Sequence, residues 1–161
     1  MKKINVLLIA LFGLLITMTM CKKDEESNPP YVGSWETEAF KMQGTDVKMD
    51  FDFAATNFVA EISVMYAPDA FAGFLGVKGD VSEMENQTLD VSLTDIGQWD
   101  QDLNAYDYQN RTDDEIAFNT LYEMFLASML PKDFEAIYVV EGNTLDLIIP
   151  VAQDTINLFR K

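Results

Sequence analysis

Between Asp46 and Phe53 polar and apolar residues alternate without a break, with Asp46, Lys48, Asp50 and Asp52 set against Val47, Met49, Phe51 and Phe53. A period of two belongs to an extended strand, whose successive side chains point to opposite faces, so this segment needs one wet and one buried face. Phe58, Ala60, Ile62 and Val64 repeat the pattern against Asn57, Glu61 and Ser63, and Leu89, Val91 and Leu93 repeat it against Asp90, Ser92 and Thr94. Less regular strands are expected near 34–42, 73–84, 134–141, 144–150 and 155–160, which gives eight in all.

Turn chemistry makes neighbouring strands antiparallel. Gly142-Asn143 suits a two-residue hairpin loop. It sets Glu141 opposite Thr144, Val140 opposite Leu145, Tyr138 opposite Leu147 and Ala136 opposite Ile149, with the apolar pairs on one face. Near the start, a loop of Gln43-Gly44-Thr45 places Ala39 opposite Met49 and Trp35 opposite Phe53, and turns Phe40 and Met42 outward. One segment breaks the period. Thr112-Asp113-Asp114-Glu115 reads as a capping box, with Thr112 as the cap and Glu115 reaching back. Phe118, Leu121, Tyr122, Phe125 and Met129 follow at helical spacing and Pro131 ends the run, so a helix of about four turns is expected over 113–130. Short antiparallel strands of this kind close into a barrel or pack as a sandwich, because closure removes exposed edges.

Residues 1–20 have the form of an export signal. Lys2 and Lys3 precede an apolar run from Val6 to Ile16, and Thr17-Met18-Thr19-Met20 leads into the only cysteine, Cys21. Such a run is too short for a hydrocarbon core of about 30 Å, which needs roughly 20 residues. A lone cysteine directly after it resembles the lipobox of bacterial lipoproteins, with Met20 standing where that family has Gly, Ala or Ser. The resemblance implies that Cys21 becomes the first mature residue and carries palmitate-type acyl chains, which fasten the protein to a membrane. An exported chain with one cysteine has no internal disulfide to form, so acylation also removes a free thiol. Lys22-Lys23-Asp24-Glu25-Glu26 is similar to the export tag of surface lipoproteins in some Gram-negative bacteria, which implies an outer-membrane, cell-surface location.

Val32-Gly33-Ser34-Trp35 resembles the Gly-x-Trp opening of lipocalin-like domains in bacterial lipoproteins. Gly142-Asn143-Thr144-Leu145-Asp146-Leu147, followed by Asp154 to Arg160, is similar to their closing strands and terminal basic residue. The resemblance implies an eight-stranded antiparallel lipocalin-like barrel in which Trp35 packs across the base near Arg160, with the helix as an insertion. It covers both ends of the mature chain and not its middle. The expected organisation is a signal peptide at 1–20, a lipidated cysteine and tether at 21–30 ending in Pro29-Pro30, and one barrel domain at 31–161.

Composition excludes several functions. Removing residues 1–20 takes Lys2 and Lys3 from the 11 basic residues and leaves all 27 acidic ones, a formal charge of −18. Such a surface repels phosphate backbones, so no nucleic-acid partner is expected. Anionic headgroups repel it too, which leaves membrane attachment to the acyl anchor. Histidine is absent, which removes Ser-His-Asp and Cys-His catalysis and His-ligated zinc. Carboxylate pairs remain, but Asp50/Asp52 and Glu36/Glu38 sit two apart on the wet face of strands and flank no cleft. The chain is therefore expected not to be an enzyme and to need no cofactor.

Two candidate contact sites remain. Met49, Phe51, Ile62, Tyr138 and Leu147 form an inward apolar set that either fills the barrel or lines a cavity for one small apolar ligand. Trp99, Tyr106 and Tyr108 lie in an expected loop, 99–108, among Asp100, Gln101, Asp102, Asn104, Asp107, Gln109 and Asn110, a mixture suited to a glycan or a protein partner. Asp100-x-Asp102-x-Asn104 copies the start of a calcium loop, but Ala105 and Arg111 stand where that loop needs Gly and Glu, so no metal site is expected.

Overall fold

The computed structural model describes residues 28–161 apart from Gln43 and Asp69. The expected signal segment, Cys21 and the tether as far as residue 27 lie outside the described residues.

Ten strands form among the described residues, β1 (Gly33–Glu36), β2 (Phe40–Met42), β3 (Thr45–Phe53), β4 (Asn57–Ala67), β5 (Ala70–Glu83), β6 (Thr88–Asp100), β7 (Ala105–Asn110), β8 (Asp133–Glu141), β9 (Thr144–Ile149) and β10 (Asp154–Arg160). One α-helix is seen among the described residues, α1 (Glu115–Phe125). The ladders are antiparallel, and β1 closes the sheet by pairing with β10 on one side and β3 on the other. The result is a barrel-like ring of eight strands, β1, β3, β4, β5, β6, β8, β9 and β10. The chain runs up and down this ring. It enters at the end that also holds the turns at 54–56, 84–87 and 142–143, and Gly44 and the turns at 101–104 and 150–153 lie at the far end.

The two strands outside the ring are collinear continuations of members of it. β2 continues β1 along the same edge of β3, and an irregular stretch at 37–39 separates the two. There Thr37 donates its N–H to the Met49 carbonyl at 2.9 Å, and its hydroxyl accepts the Met49 N–H at 2.9 Å. A side chain thus replaces a backbone group in the ladder and shifts its register. The expected pairings are corrected accordingly: Trp35 faces Phe51 rather than Phe53, and Phe40 faces Val47. Ladder partners share a face, so Phe40 lies on the face of buried Val47, yet near the end of the ring it stays 39% exposed. Gly44, at φ 89°, takes the left-handed conformation that the shorter turn requires.

β7 continues β8 in the same way. β6 pairs with β8 from Thr88 to Ser92 and with β7 from Asp95 to Asp100. Between them Arg111 donates to the Thr94 carbonyl at 2.7 Å, and the Lys132 carbonyl accepts from Leu93 at 2.8 Å. Arg111 and Lys132 are therefore adjacent rungs, and residues 112–131 form a helical excursion from a single strand position. The Arg111 guanidinium closes the neck, 3.0 Å from the Ser92 hydroxyl and 3.6 Å from the Asp133 carboxylate.

The helix is shorter than expected and differently capped. Asp114, not Thr112, accepts the Ala117 N–H at 3.1 Å. The N–H groups of Thr112 and Asp113 instead donate to the Asn110 side chain, at 2.7 and 3.1 Å. At the other end Leu126 and Ala127 both donate to the Tyr122 carbonyl, at 2.8 and 2.9 Å, and regular winding stops. The change of geometry leaves Met129 48% exposed and buries Leu126 in its place.

The hairpin at Gly142-Asn143 has the expected register, with Glu141 opposite Thr144, Val140 opposite Leu145 and Tyr138 opposite Leu147. One buried apolar cluster lies inside the ring and includes Phe118, Tyr122 and Leu126 from the excursion. Its base is aromatic. Tyr31 stands edge-on to Phe53 and Tyr138, with centroids at 6.0 and 5.2 Å, and Phe53 stacks on Phe51 and Phe58. Trp35 is fully buried, donates its indole N–H to the Tyr31 carbonyl at 2.8 Å, and carries the Arg160 guanidinium 4.5 Å above its ring.

Candidate functional site

The inward apolar set occupies the core. Phe51, Tyr138 and Leu147 are buried members of the cluster, and Met49 and Ile62 pack against it half-buried. Tyr138 also hydrogen-bonds the Glu83 carboxylate. Burial, then that bond, pushes its phenol up to about 12. Two concavities open on the surface, one of about 530 Å³ beside Met65, Tyr66, Ala67 and Pro68 and one of about 420 Å³ at the β1–β2 irregularity.

Trp99, Tyr106 and Tyr108 do not lie in a loop. Trp99 is in β6 and both tyrosines are in β7, with Trp99 opposite Tyr106 and Gly97 opposite Tyr108. Phe51, Ala60, Val77 and Ile96 form one buried row across four strands. Strand alternation therefore puts the neighbouring row on the outer face. That row runs Asp50, Glu61, Gly76, Gly97, Tyr108. The three aromatics form an outer cluster near the far end of the ring, with Trp99 edge-on to Tyr106 at 5.1 Å and Tyr106 tilted against Tyr108 at 6.0 Å.

Glycines make room for it. A Cβ on Gly73 would stand 2.5 Å from the Trp99 ring, and one on Gly76 would stand 2.6 Å from the Tyr108 hydroxyl. The rings lie down against bare backbone, an arrangement that also protects the sheet there. The Lys78 ammonium sits 3.7 Å above the Tyr108 ring. Burial pushes the phenols of Tyr106 and Tyr108 up to about 12, and the Glu61 carboxylate adds to both shifts.

Three of the polar residues expected around these aromatics are placed elsewhere. Asp100 caps its own turn by accepting the N–H groups of Asp102 and Leu103, at 2.8 and 3.0 Å. Asn110 is committed to the turn before the helix, and Asp107 faces Gln98, on the opposite face from the aromatics. Neighbours that the linear sequence did not bring together replace them: Asp50, Glu61, Ser63, Lys78 and Asp95, contributed by β3 to β6. Only the ladder register could have found them.

Three acids on β1 and β3 form surface pairs with lysines. Glu36 meets Lys48 at 2.8 Å, Asp46 meets Lys41 at 2.9 Å and Asp50 meets the terminal Lys161. Lys48 holds the Glu36 carboxyl below its usual value. No group of three or more metal-ligating side chains occurs among the described residues. No protein-family model matches the chain, and no curated protein matches it in sequence.

Proposed function

We propose that this chain is a cell-surface lipoprotein, anchored to the outer membrane through Cys21, whose lipocalin-like domain binds a carbohydrate without catalysing a reaction. The observation that carries the reading is the outer-face cluster of Trp99, Tyr106 and Tyr108 on its glycine floor. Aromatic faces beside carboxylate and hydroxyl groups suit a ligand with apolar C–H faces and polar edges. The position favours access, since the cluster lies toward the end of the ring opposite the one where the chain enters β1. The up-and-down ring of eight strands and the Trp35–Arg160 contact support the lipocalin-like part. Storage of a small apolar ligand inside needs a void, whereas the interior set packs within the buried apolar cluster, which favours the outer face as the binding surface.

A glycan array probed with the full chain in detergent tests the binding site. The expected result is binding that Trp99→Ala abolishes while the melt stays cooperative; binding that survives this change removes the patch from the proposal. Fatty-acid labelling tests the anchor and should mark the wild type but not Cys21→Ala. Native mass spectrometry covers the interior, where a co-purifying lipid-sized mass would return the function to the core.

A further inference from the structure

The charges around the outer cluster restrict which carbohydrates it can hold. Beyond residue 27 the chain has seven basic residues, Lys41, Lys48, Lys78, Arg111, Lys132, Arg160 and Lys161. Each is already engaged. Lys41, Lys48, Arg111 and Lys161 pair with Asp46, Glu36, Asp133 and Asp50. Lys78 lies over Tyr108, Arg160 over Trp35, and Lys132 over Phe118 and Tyr122 while donating to Asn119. An arriving anion would meet no uncommitted cation among the described residues. It would meet Glu61 and Asp95 instead, neither of them in a salt bridge among the described residues, while Asp50 is held by Lys161; all three lie on the rows that cross the outer face beside the cluster.

Glu61 has the central place. It lies opposite Asp50 on one side and Gly76 on the other, it is exposed, and its charge is felt at both tyrosines. The Lys78 ammonium covers one face of Tyr108, which leaves Trp99 and Tyr106 as the stacking surfaces beside Glu61. A carboxylate accepts hydrogen bonds and donates none. It therefore suits a ligand edge made of hydroxyl donors and opposes one that carries carboxylate or sulfate.

Resting on the carbohydrate reading above, we propose that this site selects neutral oligosaccharides over anionic ones and that Glu61 sets the selection. The decisive experiment titrates the full chain in detergent with neutral gluco-, manno- and galacto-hexasaccharides and with sulfated or uronate counterparts of equal length, at about 0.15 M salt, where screening still leaves a reach of about 8 Å. The expected result is binding of at least one neutral hexamer, with its anionic counterpart about tenfold weaker or worse. Glu61→Gln should narrow that gap, Glu61→Lys should reverse it, and Trp99→Ala should abolish both. An anionic counterpart that binds as tightly as the neutral hexamer, still dependent on Trp99, overturns the selection and leaves the carbohydrate reading standing. Absence of Trp99-dependent binding across the panel overturns both.

Discussion

Phe118 is fully buried and stacked on Tyr122, whose hydroxyl donates to the Leu130 carbonyl at 2.7 Å. Phe118→Ala should therefore cost about 3–5 kcal/mol, while the exposed Met129→Ala should cost under about 0.5 kcal/mol, as read by thermal or urea melts of each variant. Phe125 is half-buried, edge-on to Phe74 at 5.4 Å, and its truncation should fall between these two. The same stripe was legible as a helical period, but its last member was not. Spacing extrapolates a regular helix, whereas Leu126 and Ala127 share one carbonyl and turn Met129 away. Capping shows the same limit. Thr112, Asp113 and Asp114 are all acceptable N-caps by type, and the choice was settled by Asn110, which takes the N–H groups of the first two. Asp114→Ala should cost about 0.5–2 kcal/mol and Thr112→Ala far less. Ultraviolet titration should show three phenols, Tyr106, Tyr108 and Tyr138, ionising near pH 12. Their folded values lie above the ordinary value of 10, so the fold favours the neutral form. The associated stability is complete below pH 10 and is lost as pH rises towards 12.

The element that sequence reasoning missed is β7, and the reason is physical. Tyr106 and Tyr108 alternate with Asp107 and Gln109, a strand pattern, yet the apolar partner of that pattern is an outer face floored by glycine. Read without the sheet, tyrosines among acids and amides look like a loop. The helix was visible as an interruption, but its place inside one strand position was not, because that depends on β6 pairing with β7 and β8 along the same edge. This placement makes the excursion a dependent element. An 11-residue helix lies below the ~12–15 residues at which isolated helices become marginal. Its order comes from burying Phe118, Tyr122 and Leu126. A synthetic peptide of residues 112–131 should therefore show a coil spectrum by circular dichroism in water at 25 °C. Substantial helix there would mean that local propensity, not docking, holds the segment. The Arg111–Asp133 contact at the neck is half-exposed on one side and exposed on the other, so Arg111→Ala should cost no more than about 1 kcal/mol.

At the scale of the whole molecule, the hairpin chemistry and the alternation anticipated an antiparallel β fold and left a barrel and a sandwich open; the eight-stranded closed form was expected from the resemblance at the two ends of the mature chain. Closure itself rests on β1 holding β3 and β10 at once through four and two rungs, a long-range pairing that no local signal carries. The outer face of that ring is charged. Lys48, Asp50, Asp52, Glu61, Lys78 and Asp80 lie on its strands, and such a surface belongs in water rather than against lipid tails. The charge is also lopsided. Without Lys2, Lys3, Lys22, Lys23, Asp24, Glu25 and Glu26, the chain beyond residue 27 has 7 basic residues against 24 acidic ones. Two effects of salt then oppose each other. Screening weakens the exposed ion pairs, which are worth about 0–1 kcal/mol each. It also relieves the mutual repulsion of the surplus carboxylates, a field that acts over the whole surface and destabilises the compact state. The repulsion should dominate, since four ion pairs leave most of the acids unmatched. The melting temperature at pH 7 should therefore rise as sodium chloride goes from about 0.01 to 0.5 M, a range over which the screening length falls from about 30 Å to under 5 Å. A melting temperature that falls over this range would show that the paired lysines and arginines, not the unpaired acids, govern the stability of the ring.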